Sequence, residues 1–145
     1  MSSKILSIVI PAYNEEEYIA SVIEHVVKVP VESLGFEKEV IVVDDGSKDD
    51  TYRIASGFPR VKTITQSNQG KGRAVQAGIA HCSGDYVLVQ DADLEYEIND
   101  YLPMLQKLNE APDSAIYGSR ILGQIEMRGK LRLFPGKHPR QGVMP

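Results

Sequence analysis

Five short apolar runs, Ile5–Ile10, Val40–Val43, Val61–Ile64, Tyr86–Val89 and Ala115–Tyr117, alternate along this chain with segments of helical spacing. The runs read as continuously apolar and are rich in β-branched residues, which marks strands buried on both faces. Strands taking turns with helices imply an α/β fold with a mostly parallel central sheet. Asn14 is the expected N-cap of the first helix, with Glu17 three residues on. Ile19, Val22, Ile23 and Val26 then recur on one helical face until Pro30. Ser47 is the expected cap of a short helix running through Ile54 and Ala55. Gly70–Ala80 reads as a helix with Ala74, Ala77 and Gly78 as small packing residues. Asp100–Leu108 reads as another, with Pro103 tolerated in its first turn.

Composition narrows the class further. The chain has 145 residues, 42% of them apolar, enough for one compact domain with a core. Cys82 is the single cysteine, so neither an internal disulfide nor a thiolate zinc site is available. No apolar run reaches the ~18–20 residues of a membrane span, and Met1–Ile10 is too short for a signal peptide. These points lead to an expectation of a cytoplasmic location, with the cytoplasmic membrane face as an option. The net charge of −4 is unevenly spread. From Arg120 onward six basic residues, Arg120, Arg128, Lys130, Arg132, Lys137 and Arg140, stand against Glu126 alone, giving this segment +5 and the remainder −9. A basic tail on an acidic body suits an anionic partner; a plain solvated end is the competing explanation. After Gly123 the periodicity dissolves, and residues 124–145 read as a basic loop or an incomplete acceptor region.

In open parallel sheets, ligands bind beyond the carboxyl ends of the strands. Pro11-Ala12-Tyr13-Asn14-Glu15, Asp44-Asp45-Gly46-Ser47, Asp91-Ala92-Asp93 and Gly118-Ser119-Arg120 are what this chain places there. Each cluster alone is equally a structural turn; their convergence on one edge is what points to a site. Asp91 and Asp93 offer hard oxygen ligands suited to magnesium or manganese, and Glu95 follows them. The same stretch lacks the later ligands of a calcium loop. "SNQGKGRA", Ser67–Ala74, is no Walker motif. Its glycines and Lys71 fit a phosphate approached by backbone amides and fit a closely packed helix start equally well. The paired acids also suggest a receiver domain, but the first strand ends in Pro11-Ala12-Tyr13 rather than acids. His25, His81 and His138 form no motif.

"SIVIPAYNEEEYI", "VIVVDDGSKDDT", "NQGKGRAVQAGI", "GDYVLVQDADLEY" and "AIYGSR", taken in this order, resemble the successive motifs of family 2 glycosyltransferases. Within that family the likeness is to the dolichol-phosphate mannose synthase and polyprenyl-phosphate glycosyltransferase branch. It spans roughly residues 4–123, the expected nucleotide-sugar-binding domain 1–123. The resemblance implies a GT-A fold and an inverting, Mg2+- or Mn2+-aided transfer of a sugar from a UDP- or GDP-sugar, with a polyprenyl or dolichyl phosphate as acceptor. It implies that Pro11, Tyr13 and Glu15 line base and ribose, with Ala12 and Asn14 in the same stretch. Asp45 would accept from the base beside Asp44; the reading of Lys71 and Gly72 as approaching the donor phosphates comes from the "SNQGKGRA" stretch itself. Asp91, Asp93 and Glu95 would hold the metal around Ala92. Asp93 and Arg120 are the expected catalytic residues, with Arg128 or Arg132 as a further phosphate contact. The implied partners are the nucleotide-sugar donor, the lipid phosphate and the membrane surface, with no nucleic acid; oligomeric state stays open. The alternatives are a non-catalytic nucleotide-sugar binding module and, less well matched because Pro11–Glu17 lacks glycine and basic residues, a sugar-nucleotide pyrophosphorylase.

Overall fold

A computed structural model describes residues 4–92, 101–110, 116–118 and 131–135. The elements run β1 (Lys4–Ala12), α1 (Ile19–Lys28), a 3₁₀ turn (Val31–Leu34), β2 (Phe36–Asp44), α2 (Thr51–Ser56) and β3 (Val61–Thr65). They continue with α3 (Lys71–Ala80), β4 (Tyr86–Val89), α4 (Tyr101–Glu110), β5 (Ile116–Gly118) and β6 (Leu131–Pro135). One sheet holds all six strands in the order β3-β2-β1-β4-β6-β5. The pairs β2–β3, β1–β2 and β1–β4 are parallel; β6 runs antiparallel to both β4 and β5. The α/β class and the mostly parallel sheet expected from the sequence are both present.

The continuous apolar runs divide their residues between two faces, as the strand period of two requires. Leu6, Ile8, Ile10, Val40, Val42 and Leu88 meet Ile19, Val22, Ile23 and Val26 of α1 and Tyr101, Met104, Leu105 and Leu108 of α4. Val9, Ile41, Val43 and Val87 meet α3 through Ala74 on the opposite face. The small residues of α3 serve close approach: a Cβ on Gly78 would run into Val9 Cγ1 and Val43 Cγ2. At the end of α1, Lys38 reaches from β2 to donate to the carbonyls of Val26, Val27 and Val29. These satisfy acceptors that the helix itself leaves open.

Three expectations fail locally. Asn14 does not cap α1, whose N-cap is Tyr18 without a side-chain hydrogen bond. Asn14 instead sits at φ 54°, its N–H donating to Ser47 Oγ (2.8 Å) and its Oδ1 accepting from Lys48 N (2.9 Å). Ser47 likewise does not cap α2, which starts after Asp50. A bond between the two loops has displaced a local cap at both positions. Lastly, residues 131–135, expected as loop, form β6 within the sheet. Strand insertion requires only backbone pairing over a few residues, and the surrounding glycines and prolines hide so short a run. Among the described residues no helix is long and apolar enough to cross a membrane.

Candidate functional site

The chain builds outward from β1 through β2 to β3, then crosses back to place β4 on the other side of β1. Such a reversal opens a crevice at the carboxyl ends of the two flanking strands. Register brings the ends together: Ala12 pairs with Asp44, Asp44 with Thr65, and Val9 with Val89. Pro11 and Asp91 each lie two residues past the Val9–Val89 pair. β4 ends before it reaches Pro11, so the missing proline N–H faces no ladder there. At this edge lies a cleft of about 350 Å³, lined by Pro11, Ala12, Tyr13, Glu15, Asp45, Asn68, Gly70, Lys71, Ala74, Asp91 and Ala92.

The first wall is the loop after β1. It is laced to the loop after β2 through Asn14–Ser47 and Asn14–Lys48, and through Glu15 N–H to Thr51 Oγ1 (2.8 Å). Glu16 N–H donates to Asp49 Oδ2 (3.2 Å), while Glu16 Oε1 accepts from Asp50 N–H (3.0 Å). Tyr13, 43% exposed, is thereby held at the cleft as a large aromatic surface open to a ligand.

The second wall depends on Asp45, which is 3% exposed. Its Oδ1 accepts from Gln66 Nε2 (2.8 Å) and Gln69 N–H (2.9 Å). Its Oδ2 accepts from Gly70 N–H (2.9 Å) and Asn68 Nδ2 (3.3 Å). Burial pushes the Asp45 pKa up, but the bonds from Gln66 and from the Gln69 and Gly70 amides outweigh it and hold the carboxyl below its ordinary value. One carboxylate thus shapes the whole segment that leads into α3. Gly46 lets the two loops close, since it has φ +76° and a Cβ there would meet Asn68 N at 2.6 Å. Asp44 is equally buried and points into the turn, where it accepts from Ser47 N–H (3.3 Å) and Thr65 Oγ1 (3.1 Å).

The third wall is the end of β4. Asp91 is 6% exposed, and its Oδ1 forms an ion pair with Lys71 Nζ. Beneath it, Tyr101 Oη donates to Gln90 Oε1 (2.7 Å) and Gln90 Nε2 donates to the Asp91 carbonyl (3.1 Å). Both Gln90 and Tyr101 are fully buried, and burial raises the Tyr101 pKa well above its usual value. The Asp91 turn is therefore tied to α4 through the core.

Of the expected site residues, Pro11, Ala12, Tyr13, Glu15, Asp45, Lys71, Asp91 and Ala92 meet in the cleft. Asn14 serves the loop lacing, Asp44 the turn beneath, and Gly72 is exposed in the first turn of α3; none of the three lines the cleft. Asp93, Glu95, Arg120 and Arg128 lie outside the described residues, and of Arg132 only its place on β6 is described. Gly70, one of the glycines expected to approach a phosphate, lines the cleft, and so do Asn68 and Ala74, which the sequence did not mark as site residues. Their signal was present in the "SNQGKGRA" stretch, as an Asn-x-Gly directly before a helix. His25 and His81 each contact the carbonyl one turn back, at Ser21 and Ala77.

Chemically, the cleft joins an aromatic surface, a half-exposed ammonium, the amino end of α3 and a buried carboxylate. The ammonium and helix end favour an anion. Asp91 already engages a cation, and its hard oxygens fit magnesium or manganese. Among the described residues no three acidic, histidine or cysteine side chains gather as a ready metal cluster.

Known proteins place this arrangement. Residues 7–139 match the sequence family described as Glycosyl transferase family 2. The dolichyl-phosphate beta-glucosyltransferase ALG5A of Trichomonas vaginalis is 34% identical over 146 residues, covering 92% of this chain and 45% of that protein. The dolichyl-phosphate beta-glucosyltransferase ALG5C of the same organism is 34% identical over 125 residues, covering 77% of this chain and 37% of its own. The chain thus spans less than half the length of these curated relatives. Among solved structures, S. aureus TarS 1-349 in complex with UDP-GlcNAc superposes with a TM-score of 0.62 at 26% identity, over 76% of this chain and 32% of that one. The glucosyl-3-phosphoglycerate synthase of Mycobacterium tuberculosis, with Mn2+, UDP and glucosyl-3-phosphoglycerate, gives 0.58 at 30% identity, over 74% and 40%. The sheet and these neighbours together identify the GT-A class expected from the sequence.

Proposed function

The chain belongs to glycosyl transferase family 2, and on that premise we propose that it moves a sugar from a nucleotide sugar to a polyprenyl or dolichyl phosphate with inversion, aided by Mg2+ or Mn2+. The observation that carries this is the cleft at the β1–β4 reversal, where Asp91, Lys71 and the amino end of α3 face one another. Relatives named for glucosyl transfer to dolichyl phosphate support the acceptor. Neighbours solved with UDP, UDP-glucose or UDP-GlcNAc support a uridine donor, and UDP-glucose is the first candidate.

In this reading Tyr13, Pro11 and Glu15 take the base and ribose. Asp45 fixes the 66–70 segment against them and contributes its rim to the base pocket. Gly70 and Lys71 face the diphosphate. Asp91, with Asp93 and Glu95 of the same acidic run, would hold the metal, which when bound neutralises charge on the departing nucleoside diphosphate. Arg120 would add a second positive charge on a phosphate. A lipid phosphate is already anionic at neutral pH and attacks without a strong general base. Contact with the membrane surface follows from a lipid-linked acceptor, and the basic residues after Gly123 suit it.

The test is transfer of labelled glucose from UDP-glucose to dolichyl phosphate with Mn2+, alongside GDP-mannose as donor. Lipid-linked sugar formed by the wild type and lost with Asp91→Ala supports the proposal. Nucleotide binding without any transfer would leave a nucleotide-sugar binding module, and failure to bind either nucleotide sugar would end both.

A further inference from the structure

Three successive amides of the loop after β1 are held by side chains of the loop after β2. Asn14 N–H donates to Ser47 Oγ, Glu15 N–H to Thr51 Oγ1 (2.8 Å) and Glu16 N–H to Asp49 Oδ2 (3.2 Å). The last two bonds depend on one carboxylate. Asp49 Oδ1 accepts from the Thr51 hydroxyl (2.5 Å) and from Thr51 N–H (3.0 Å). A hydroxyl has one proton, and Asp49 takes it, so the Thr51 oxygen turns a lone pair to Glu15 N–H. Burial pushes the Asp49 pKa up, but the bonds from Thr51 and Glu16 outweigh it and keep the carboxyl below its ordinary value, as an ionised acceptor. Thr51 is fully buried, and neither it nor Asp49 borders the cleft. What they hold does: Tyr13 and Glu15 line the cleft on either side of Asn14, whose φ of 54° is a backbone conformation that most residues avoid.

We propose that Asp49 and Thr51 are positioning residues for the nucleoside end of the donor, acting through Glu15 and Tyr13 without touching the ligand. This rests on the reading of the cleft as a nucleotide-sugar site. A wall whose backbone is already fixed takes a base and ribose without a further ordering cost. With the Asp49–Thr51 relay cut, the Glu15 and Glu16 amides lose these acceptors, and the segment from Tyr13 to Glu16 samples other conformations. Nucleoside affinity then falls with the fraction of molecules whose wall is in place. The diphosphate end is built from another part of the chain, Gly70 and Lys71, which Asp45 fixes through the Gln69 and Gly70 amides. Cutting the relay therefore separates the two ends of one ligand: the nucleoside contact weakens and the diphosphate contact is kept.

Thr51→Val replaces the hydroxyl by a methyl, Asp49→Asn removes the charge at constant size, and Thr51→Ser keeps the relay. Calorimetry on the full chain with Mn2+ present measures the binding of UDP and of inorganic pyrophosphate, below the unfolding transition of each protein. T51V and D49N should bind UDP about tenfold more weakly, as the loss of one hydrogen bond at the upper end of the ordinary range would give, with pyrophosphate unchanged. T51S should match the wild type for both ligands. A general loosening of the fold would weaken UDP and pyrophosphate together, and that result overturns the proposal. So does UDP held by T51V and D49N as tightly as by the wild type. In both of these cases the wild type still binds UDP, and the nucleotide-sugar site stands. A wild type that binds neither UDP nor pyrophosphate removes the site itself and the positioning role with it. If T51V does not fold, D49N decides alone.

Discussion

Tyr101 and Gln90 form a hydrogen-bonded pair, 2.7 Å from Oη to Oε1, with neither side chain exposed to solvent. Gln90 passes the contact on to the Asp91 carbonyl, so α4 reaches the functional edge of the sheet through two polar side chains in an apolar core. Tyr101→Phe strands Gln90 Oε1 without its donor. The expected loss is about 1–3 kcal/mol of unfolding free energy, the cost of one unsatisfied buried group. Urea denaturation of the two proteins measures it, and equal midpoints would show that the pair contributes nothing.

Asp45 makes stability depend on acid. Its folded pKa lies below the ordinary carboxylate value, so its contribution is complete above the unfolded pKa of about 3.9 and is lost as pH falls through the lowered folded value. Glu39 acts in the same direction: burial raises its pKa, and hydrogen bonds from Ser7 and Ser83 more than reverse the effect. Asp45→Asn should therefore lower stability at neutral pH, where an amide nitrogen would face the Gly70 or Gln69 N–H, and should reduce, without abolishing, the decline that sets in as pH falls below the ordinary carboxylate range. Stability-versus-pH curves for both proteins check this. An unaltered acid slope in D45N would mean that the carboxylate is not what titrates.

Gly78→Val is expected to destabilise by about 1–3 kcal/mol, as overpacking typically does. The added side chain would push against Val9 and Val43 and lift α3 from the sheet. Because α3 carries Lys71 at its other end, weaker UDP binding should accompany the lower melting temperature. A variant as stable as the wild type would contradict the close approach.

Ligand linkage offers a direct check on the acidic turn. Mn2+ with UDP at 100 times the dissociation constant should stabilise the folded protein by about 2.7 kcal/mol. The resulting rise in melting temperature should disappear in Asp91→Ala. A rise that survives intact in D91A would place the bound ligand away from β4.

Much of the site was legible because its residues interrupt apolar runs. Buried strands that stop abruptly at Asp44 or before Asp91 mark the carboxyl edge without any knowledge of pairing. The strand order and the register that brings Pro11 level with Asp91 then follow from the crossovers. The local caps were not legible. Asn14 and Ser47 have the chemistry of helix caps, but each satisfies the other's loop, a contact across |i−j| = 33 that local pattern does not carry. The role of Asp45 was legible only in part: its type and place suggested a ligand, yet its four donors come from residues 66–70. Asn68 was hidden as well, because an Asn-x-Gly before a helix serves packing and recognition equally well.

The antiparallel strand β6, lodged between β4 and β5, sets a timetable for synthesis. The parallel half of the sheet, β1 to β4, is complete once Val89 has left the ribosome, and chains of this kind begin to fold from the amino end as they emerge. β4 then waits with one edge bare until Leu131–Pro135 arrives, since β5 touches β4 only through β6. During that interval a nascent chain presents an apolar strand with unpaired amides and carbonyls, the surface most prone to capture by another strand. The time for which this edge of β4 stays open is thus set by the arrival of β6, whatever the strength of the core.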